Sequence, residues 1–273
     1  MGRDAIAFGR VWQRLRLTDT SGLVTVGMER PDERNAFDPL MMQELTEVAR
    51  LLRRHPTTRA VILTGQDRYF SAGADLSSTR ARNASDQTLL DLRAAVAAGP
   101  DLCHAWEDIE AITIVAIEGY CVGGACALAL ACDFRVMAEN AMLRLPEVPL
   151  GMNMSWRTLP RLQALIGPAR AKQFVLFGEP RSASDCLTWG MADEVCPDGT
   201  ALACANRWAA KVAALPPIPV RMTKEAINAA AYVNAQSVSI MDRDQYLLTA
   251  RSSDFREGVA AFLEKRSPAF RGD

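Results

Sequence analysis

Residues 60–76, AVILTGQDRYFSAGADL, join a short apolar strand to a turn made of very small residues. The strand predicted over residues 59–65 ends in a glycine, and the later turn places Gly73 between two alanines. Small side chains let a ligand oxygen approach the backbone N–H groups closely. The stretch therefore predicts a strand followed by a turn that meets a ligand with its backbone.

A second stretch with the same plan is AIEGYCVGGACALALACD at residues 116–133. The strand predicted over 111–119 again ends in glycine, and further glycines lead into an apolar helical run at 125–131. The first N–H groups of a helix have no partner within it and lie at its positive dipole end. Two such turns can offer one N–H group each to the same oxygen, which makes an oxyanion hole. Taken alone, the glycines equally fit ordinary connections between strands and helices.

The rest of the chain predicts an α/β core followed by helices. Two alternating runs in residues 14–30 flank a hairpin at Asp19–Gly22, and Asp38 precedes Pro39 as a helix cap. A helical segment is predicted over 87–108 and a third strand region over 133–139. Helical periodicity dominates after about residue 155, which places the core at 1–200 and a helical region at 201–273; the predicted helices are 168–177, 182–189, 200–214, 219–234 and 237–265 with breaks.

The composition is that of an ordinary globular protein. The chain has 273 residues, 49% of them hydrophobic, and a net charge of −1 with scattered basic residues. No apolar run reaches the roughly 18 residues that suggest a membrane span, and the N-terminus lacks the apolar region of a signal peptide. We therefore expect a cytoplasmic protein that binds neither nucleic acid nor membrane.

Metal or dinucleotide chemistry finds no support in the sequence. The seven cysteines and two histidines follow no zinc or redox spacing. GxGxxG and P-loop motifs are also absent, which argues against dinucleotide and P-loop nucleotide sites. The cysteines are expected to be small buried thiols.

Four stretches together resemble the crotonase superfamily, the enoyl-CoA hydratase/isomerase family. Besides 60–76, they are RPDERNAFDPLMMQEL (30–45), AIEGYCVGGACALALACDFRVMAENAMLRLPEVPLGM (116–152) and GVAAFLEKRSPAF (258–270), in the family's order and spacing. The resemblance implies a spiral of β-β-α turns with a helical C-terminal trimerisation region, as a homotrimer or a hexamer of two trimers. It also implies an acyl-CoA thioester substrate, with coenzyme A as part of that substrate and no separate cofactor.

The resemblance assigns the reacting positions. The thioester oxygen would lie between the N–H groups of Ala74 and Gly124. Glu147 matches one of the two glutamates that family hydratases use around a water molecule. The other glutamate position is occupied by Ala127, which cannot move a proton.

Further positions are expected to line the substrate site. By resemblance, Arg34, Phe262 and Lys265 would contact coenzyme A, while Ala72 and Asp75 flank the first turn and Asp75 orients it. Lys265 equally fits a solvated helix charge. Arg144 and Trp156 lie near Glu147 in sequence and, with Ala127, are candidate pocket residues. Arg144 also fits an ordinary surface arginine.

Three functions remain open at this point. The favoured one is an enoyl-CoA isomerase, because one base can remove a proton and return it elsewhere. The first alternative is a hydratase with a nonstandard second catalytic group. The second is a non-catalytic protein that binds acyl-CoA. Thioester hydrolysis, C–C cleavage and dehalogenation complete the range that the family chemistry allows.

Overall fold

The computed structural model describes residues 10–66, 68–75 and 88–273. Their order confirms the predicted α/β architecture with a helical C-terminal region. The strands are β1 Leu15–Thr20, β2 Leu23–Met28, β3 Ala60–Thr64, β4 Tyr69–Ser71, β5 Ile112–Ile117, β6 Tyr120–Val122, β7 Phe134–Ala138, β8 Met142–Arg144, β9 Arg181–Ser182 and β10 Glu194–Cys196. The helices are α1 Pro39–Leu52, α2 Leu89–Ala95, α3 Ala98–Glu107, α4 Gly124–Ala131, α5 Thr158–Phe177, α6 Ala183–Trp189, α7 Ala201–Ala213, α8 Pro217–Ala231, α9 Ala235–Ser239, α10 Asp242–Ala250 and α11 Ser253–Glu264.

The strands form two sheets built from successive β-β-α units. The larger sheet has the order β1-β2-β3-β5-β7-β10, and the smaller has the order β4-β6-β8-β9. From β3 to β8, the first strand of each pair enters the larger sheet and the second enters the smaller one, whereas in the last pair β9 joins the smaller sheet and β10 the larger. Because β3, β5 and β7 pair in parallel, each unit advances the chain by one strand in both sheets.

Local sequence signals set several elements as predicted. Strands β1 and β2 pair antiparallel across the turn at Ser21–Gly22, where the Asp19 carboxylate accepts the Gly22 N–H. Asp38 caps α1 by accepting the Met41 N–H, with Pro39 at the first helical position. These contacts span a few residues, so the local sequence suffices to specify them.

Two helical predictions differ in detail from the structure. The segment predicted as one helix over 87–108 contains two helices, α2 and α3, within its described part. The helix predicted over 168–177 is the second half of α5, which is kinked at Gly167 with φ +74°.

The helices after residue 200 do not all lie apart from the sheets. Helix α7 packs on β3, β5 and β7, whereas α11 packs on the short 3₁₀ turn at Val148–Leu150. The domain boundary at residue 200 therefore remains a prediction from sequence. No described helix combines the length and apolar character that a membrane crossing requires.

Candidate functional site

Three parallel strands of the smaller sheet end at one edge. Tyr69 of β4 pairs with Tyr120 of β6, and Val122 of β6 pairs with Arg144 of β8. Ligands of α/β proteins commonly bind beyond the carboxyl ends of such strands. The segments that emerge there are residues 72–75, 123–124 and 145–147, and we call the first two the glycine turns.

The first glycine turn touches the second through Gly73. This residue has φ +82°, and a Cβ built on it would lie 2.3 Å from the Val122 carbonyl oxygen and 3.3 Å from the Gly124 nitrogen. Any other residue would therefore push the two turns apart. The Gly73 carbonyl accepts the Phe37 N–H at 2.7 Å, which fixes the turn against the segment before α1.

The second glycine turn starts a buried helix. Gly123 has φ +57° and donates its N–H to the Arg144 carbonyl at 2.8 Å, and Gly124 then begins α4. Within the described part of the chain, the N–H groups of Ala74 and Gly124 donate to no acceptor. The meeting point of the two turns thus offers two unpaired backbone donors.

Glu147 lies beside the second glycine turn. A Cβ built on Gly123, whose φ is +57°, would lie 3.0 Å from the Glu147 Oε1 atom, so a side chain there would crowd this carboxyl group. Its Oε2 atom is buried without a hydrogen-bond partner among the described residues. Burial raises the pKa of Glu147 to about 7, although its own backbone and Arg144 act in the opposite direction. This carboxyl group can therefore both accept and release a proton near neutral pH.

Arg144 and Ala127, two of the candidate pocket residues from the sequence, both have structural surroundings. Arg144 donates from Nε to the Gly178 carbonyl at 2.7 Å, so its side chain is tied to the end of α5. Ala127 is fully buried on α4, one helical turn after Gly124. At this position the site has a methyl group in place of a carboxylate.

The indole of Trp156 lies against Gly124. It fills the space that a Cβ on Gly124 or on Gly99 would enter, at 2.6 and 2.3 Å from the nearest ring carbons. The ring also stacks on Phe37, with centroids 6.2 Å apart. Trp156, a candidate pocket residue from the sequence, thus has its large aromatic ring against the start of α4.

A small cavity connects this indole with the first glycine turn. Its volume is about 50 Å³, and its described walls combine residues from six segments. They are Phe37, Met42, Ala74, Asp75, Ala95, Val96, Ala98, Gly99, Ser155, Trp156 and Tyr246. Sequence reasoning missed most of them. Residues 88–99 carry no motif, and only the GP pair at 99–100 marks a close backbone approach there.

The residues expected to contact coenzyme A fall in two places. Arg34 is exposed next to the first glycine turn, where its carbonyl accepts the Ala72 N–H at 3.0 Å. Asp75 pairs with Arg30 at 3.1 Å, which ties the end of that turn to the segment before α1. Phe262 and Lys265 are exposed at the C-terminal end of α11.

The cysteines are free and buried, as the sequence indicates. Burial raises the pKa of Cys126 well above its usual value, and the nearby Cys121 and Glu147 raise it further. In residues 10–66, 68–75 and 88–273, no group of three or more His, Cys, Asp or Glu residues is arranged to hold a metal ion.

Comparison with known proteins gives a uniform result. The family model described as "Enoyl-CoA hydratase/isomerase" matches residues 18–273. A 2,3-dehydroadipyl-CoA hydratase of Escherichia coli is 32% identical over 248 residues, which are 90% of this chain and 93% of that protein. A mitochondrial enoyl-CoA hydratase of Pongo abelii is 31% identical, covering 93% of this chain and 84% of the relative. The crystal structure of an enoyl-CoA hydratase from Mycobacterium avium subsp. paratuberculosis superimposes with a TM-score of 0.84 at 25% identity, covering 95% of this chain and 99% of that one.

Proposed function

This chain belongs to the enoyl-CoA hydratase/isomerase family of the crotonase superfamily, and within it we propose an enoyl-CoA isomerase that moves one proton through Glu147. The observation that carries the proposal is the state of this carboxyl group. It lies beside the glycine turns with Oε2 buried and unpartnered, and its pKa is about 7. A general base works best with a pKa near the operating pH, because it must both take up and return the proton.

The two unpaired N–H groups supply the second requirement. A thioester oxygen placed between Ala74 and Gly124 would receive one hydrogen bond from each backbone. Because these donors are fixed in place before the reaction, they stabilise negative charge on that oxygen without reorganising. Gly73 supports this role, since it lets the two turns approach within van der Waals contact.

The proposed reaction conserves mass. The Glu147 carboxylate removes a proton from C2 of a 3-enoyl thioester, and the electron pair moves to the thioester oxygen as a dienolate. Glu147, now a neutral carboxylic acid, returns the proton to C4. The double bond then lies between C2 and C3, and the carboxylate is regenerated.

A hydratase is the second candidate, because the relatives reported above carry that name. Adding water requires one group to activate the water and a proton source for C2. Ala127 supplies neither, so a hydratase would need a different second group. The isomerase needs only Glu147, and we favour it for that reason.

Mass spectrometry distinguishes the two reactions. The protein is incubated with 2-enoyl and 3-enoyl thioesters in H2O and in D2O. An isomerase leaves the product mass unchanged in H2O and incorporates deuterium in D2O, whereas a hydratase adds the mass of one water molecule. A gain of water without double-bond migration would replace the isomerase by the hydratase.

Glu147→Gln tests the role of the carboxyl group. We expect turnover to fall by roughly 10²–10⁴-fold, because amide nitrogen and oxygen cannot shuttle the proton. Binding of acyl-CoA, measured by calorimetry, should remain. Unchanged turnover in this variant would remove Glu147 from the mechanism, and binding without turnover in the unaltered protein would indicate a non-catalytic acyl-CoA-binding protein.

We further propose that coenzyme A and subunit contacts follow the family plan. Arg34 is placed to meet an anionic group near the first glycine turn. Exposed apolar residues on α8, namely Ile218, Met222 and Ile227, favour association as a homotrimer or hexamer. Sedimentation of the protein at several concentrations measures the assembly.

A further inference from the structure

We propose that Trp156 is a specificity-determining residue that restricts the site to thioesters with a short acyl group. This inference rests on the proposed function, since it assumes that the thioester lies at the glycine turns. It adds the class of substrate that those turns receive.

The indole lies where an acyl chain would leave the glycine turns. Its ring contacts Gly124 on α4 and Gly99 on α3, and it closes the gap between the two helices. Gly124 is also one of the two residues that offer an unpaired N–H group. A group bonded to an oxygen at that N–H therefore meets the indole within a few atoms of chain.

The indole cannot move aside easily, because both its neighbours and its backbone hold it. Phe37 is 1% exposed and stacks on the ring. Trp156 and Arg157 have φ +63° and +55°, values that residues with a Cβ rarely adopt. We call these two residues the tryptophan turn.

The tryptophan turn is held by buried charges on two sides. Arg161, 1% exposed, donates from Nη1 to the carbonyls of Trp156 at 3.2 Å and Arg157 at 2.9 Å. Glu107 fixes that arginine through an ion pair of 2.5 Å. The Asp242 carboxylate accepts the Arg157 N–H at 2.7 Å from the other side. A backbone restrained in this way presents the indole as a fixed wall.

The remaining space is small. The cavity between the indole and Ala74 is about 50 Å³, whereas sites for drug-sized ligands span roughly 300–1,000 Å³. A cavity needs about 10–15 Å³ to hold one water molecule, so this cavity has room for an acyl chain on the order of four carbons. Within the described part of the chain, longer acyl groups would have to displace a lining side chain such as the indole or Met42.

The test measures binding of saturated thioesters, which cannot react as enoyl groups do. Butyryl-CoA and dodecanoyl-CoA are titrated by calorimetry into the unaltered protein and into Trp156→Gly. Glycine accepts the left-handed backbone, so this variant removes the indole without adding strain. Arg157→Gly is the matched control, because it changes the same turn but leaves the indole in place.

The unaltered protein and Arg157→Gly should bind butyryl-CoA at least tenfold more tightly than dodecanoyl-CoA. Trp156→Gly should bind dodecanoyl-CoA at least tenfold more tightly than the unaltered protein does. Equal affinities in the unaltered protein, or an unchanged ratio in Trp156→Gly, would overturn the inference. Should Trp156→Gly fail to fold, Trp156→Leu and the ratio in the unaltered protein still decide.

The outcomes also separate this inference from the proposed function. Discrimination by chain length without any turnover would sustain the role of Trp156 and reject the isomerase. Isomerase turnover together with equal binding of both thioesters would sustain the isomerase and reject the role of Trp156. If neither butyryl-CoA nor dodecanoyl-CoA binds, both proposals are rejected.

Discussion

Glu147 lies beside the glycine turns, and Glu107 holds the tryptophan turn through Arg161; these two partly buried carboxyl groups have opposite properties. Glu147, next to Gly123, has an unpartnered Oε2, and burial raises its pKa to about 7. Glu107 accepts Arg161 at 2.5 Å, and its hydrogen bonds and nearby cations hold its pKa at about 2 despite the opposing effect of burial. Burial alone thus does not set the pKa of a carboxyl group. Whether the pKa rises or falls depends on whether the group has a cationic hydrogen-bond partner.

The glycine turns and the tryptophan turn also differ in what their left-handed backbone does. At Gly73 and Gly123, the absence of a side chain lets a second turn or a carboxyl group approach the backbone. At residues 156–157, large side chains occupy the same region of φ, and buried partners hold them there. One region exposes backbone for chemistry, and the other positions a side chain to shape the site. The following experiments test that contrast.

The largest effect is expected for Gly73→Ala. The new methyl group would overlap the Val122 carbonyl oxygen at 2.3 Å in addition to the unfavourable φ of +82°. We expect the free energy of unfolding to fall by about 5 kcal/mol, with loss of activity.

Gly199→Ala is the control for that substitution, because its φ is +76° and nothing lies within 4 Å. It should lose only about 1–2 kcal/mol, the cost of left-handed backbone. Urea denaturation measures both variants. Similar losses would show that close approach of the turns is not what requires Gly73.

The next largest loss of stability is expected for Glu107→Gln. It leaves the buried Arg161 guanidinium without its ionic partner, which costs about 3–5 kcal/mol at pH 7. Since the pKa of Glu107 is lowered to about 2 in the fold, its stabilisation is present above the unfolded value of about 4.5 and is lost as the pH falls towards 2.

Denaturation of this variant and the unaltered protein should therefore converge between pH 4.5 and 2. A difference that does not change over the acidic range would mean that the charge on Glu107 does not stabilise the tryptophan turn.

Glu147→Gln should have the opposite dependence on pH. The raised pKa means that the folded protein holds this proton more tightly, so stability is greatest below about pH 4.5 and falls as the pH rises to about 7. The variant lacks that loss and should be more stable than the unaltered protein by about 2–3 kcal/mol at pH 8.

Melting temperatures at pH 4.5 and pH 8 measure this effect. Glu147→Asp serves as the control, because it retains a titrating carboxyl group. If Glu147→Gln gives no relative gain at pH 8, the Glu147 carboxyl group is solvated or paired, and the contrast with Glu107 disappears.

The smallest effect is expected for Arg157→Gly. Glycine relieves the left-handed backbone at φ +55°, while the N–H bond to Asp242 is retained. Lost side-chain contacts and the greater freedom of the unfolded chain offset part of this gain, so we expect about 1 kcal/mol of stabilisation. A loss of stability would show that the Arg157 side chain, rather than its backbone, holds the turn.

Sequence reasoning predicted the elements that short contacts define. The hairpin before Gly22 and the α1 cap at Asp38 depend on residues within three positions of each other. It also identified both glycine turns, and the resemblance to the family identified Glu147 as a candidate base. The surroundings of Trp156 were beyond its reach, because Gly99 lies 57 residues away along the chain and Phe37 lies further still.

The sequence by itself determined the hairpin at Asp19–Gly22, the three strand regions near residues 60–64, 112–117 and 134–138, the family, and the alanine at position 127. Tertiary structure alone decided that the Oε2 atom of Glu147 is buried without a partner, that Glu107 is paired and that an indole lies against Gly124. The physical reason is range. Turns, caps and periodicity follow from neighbouring residues, whereas acidity and pocket shape follow from which distant side chains displace water around a group.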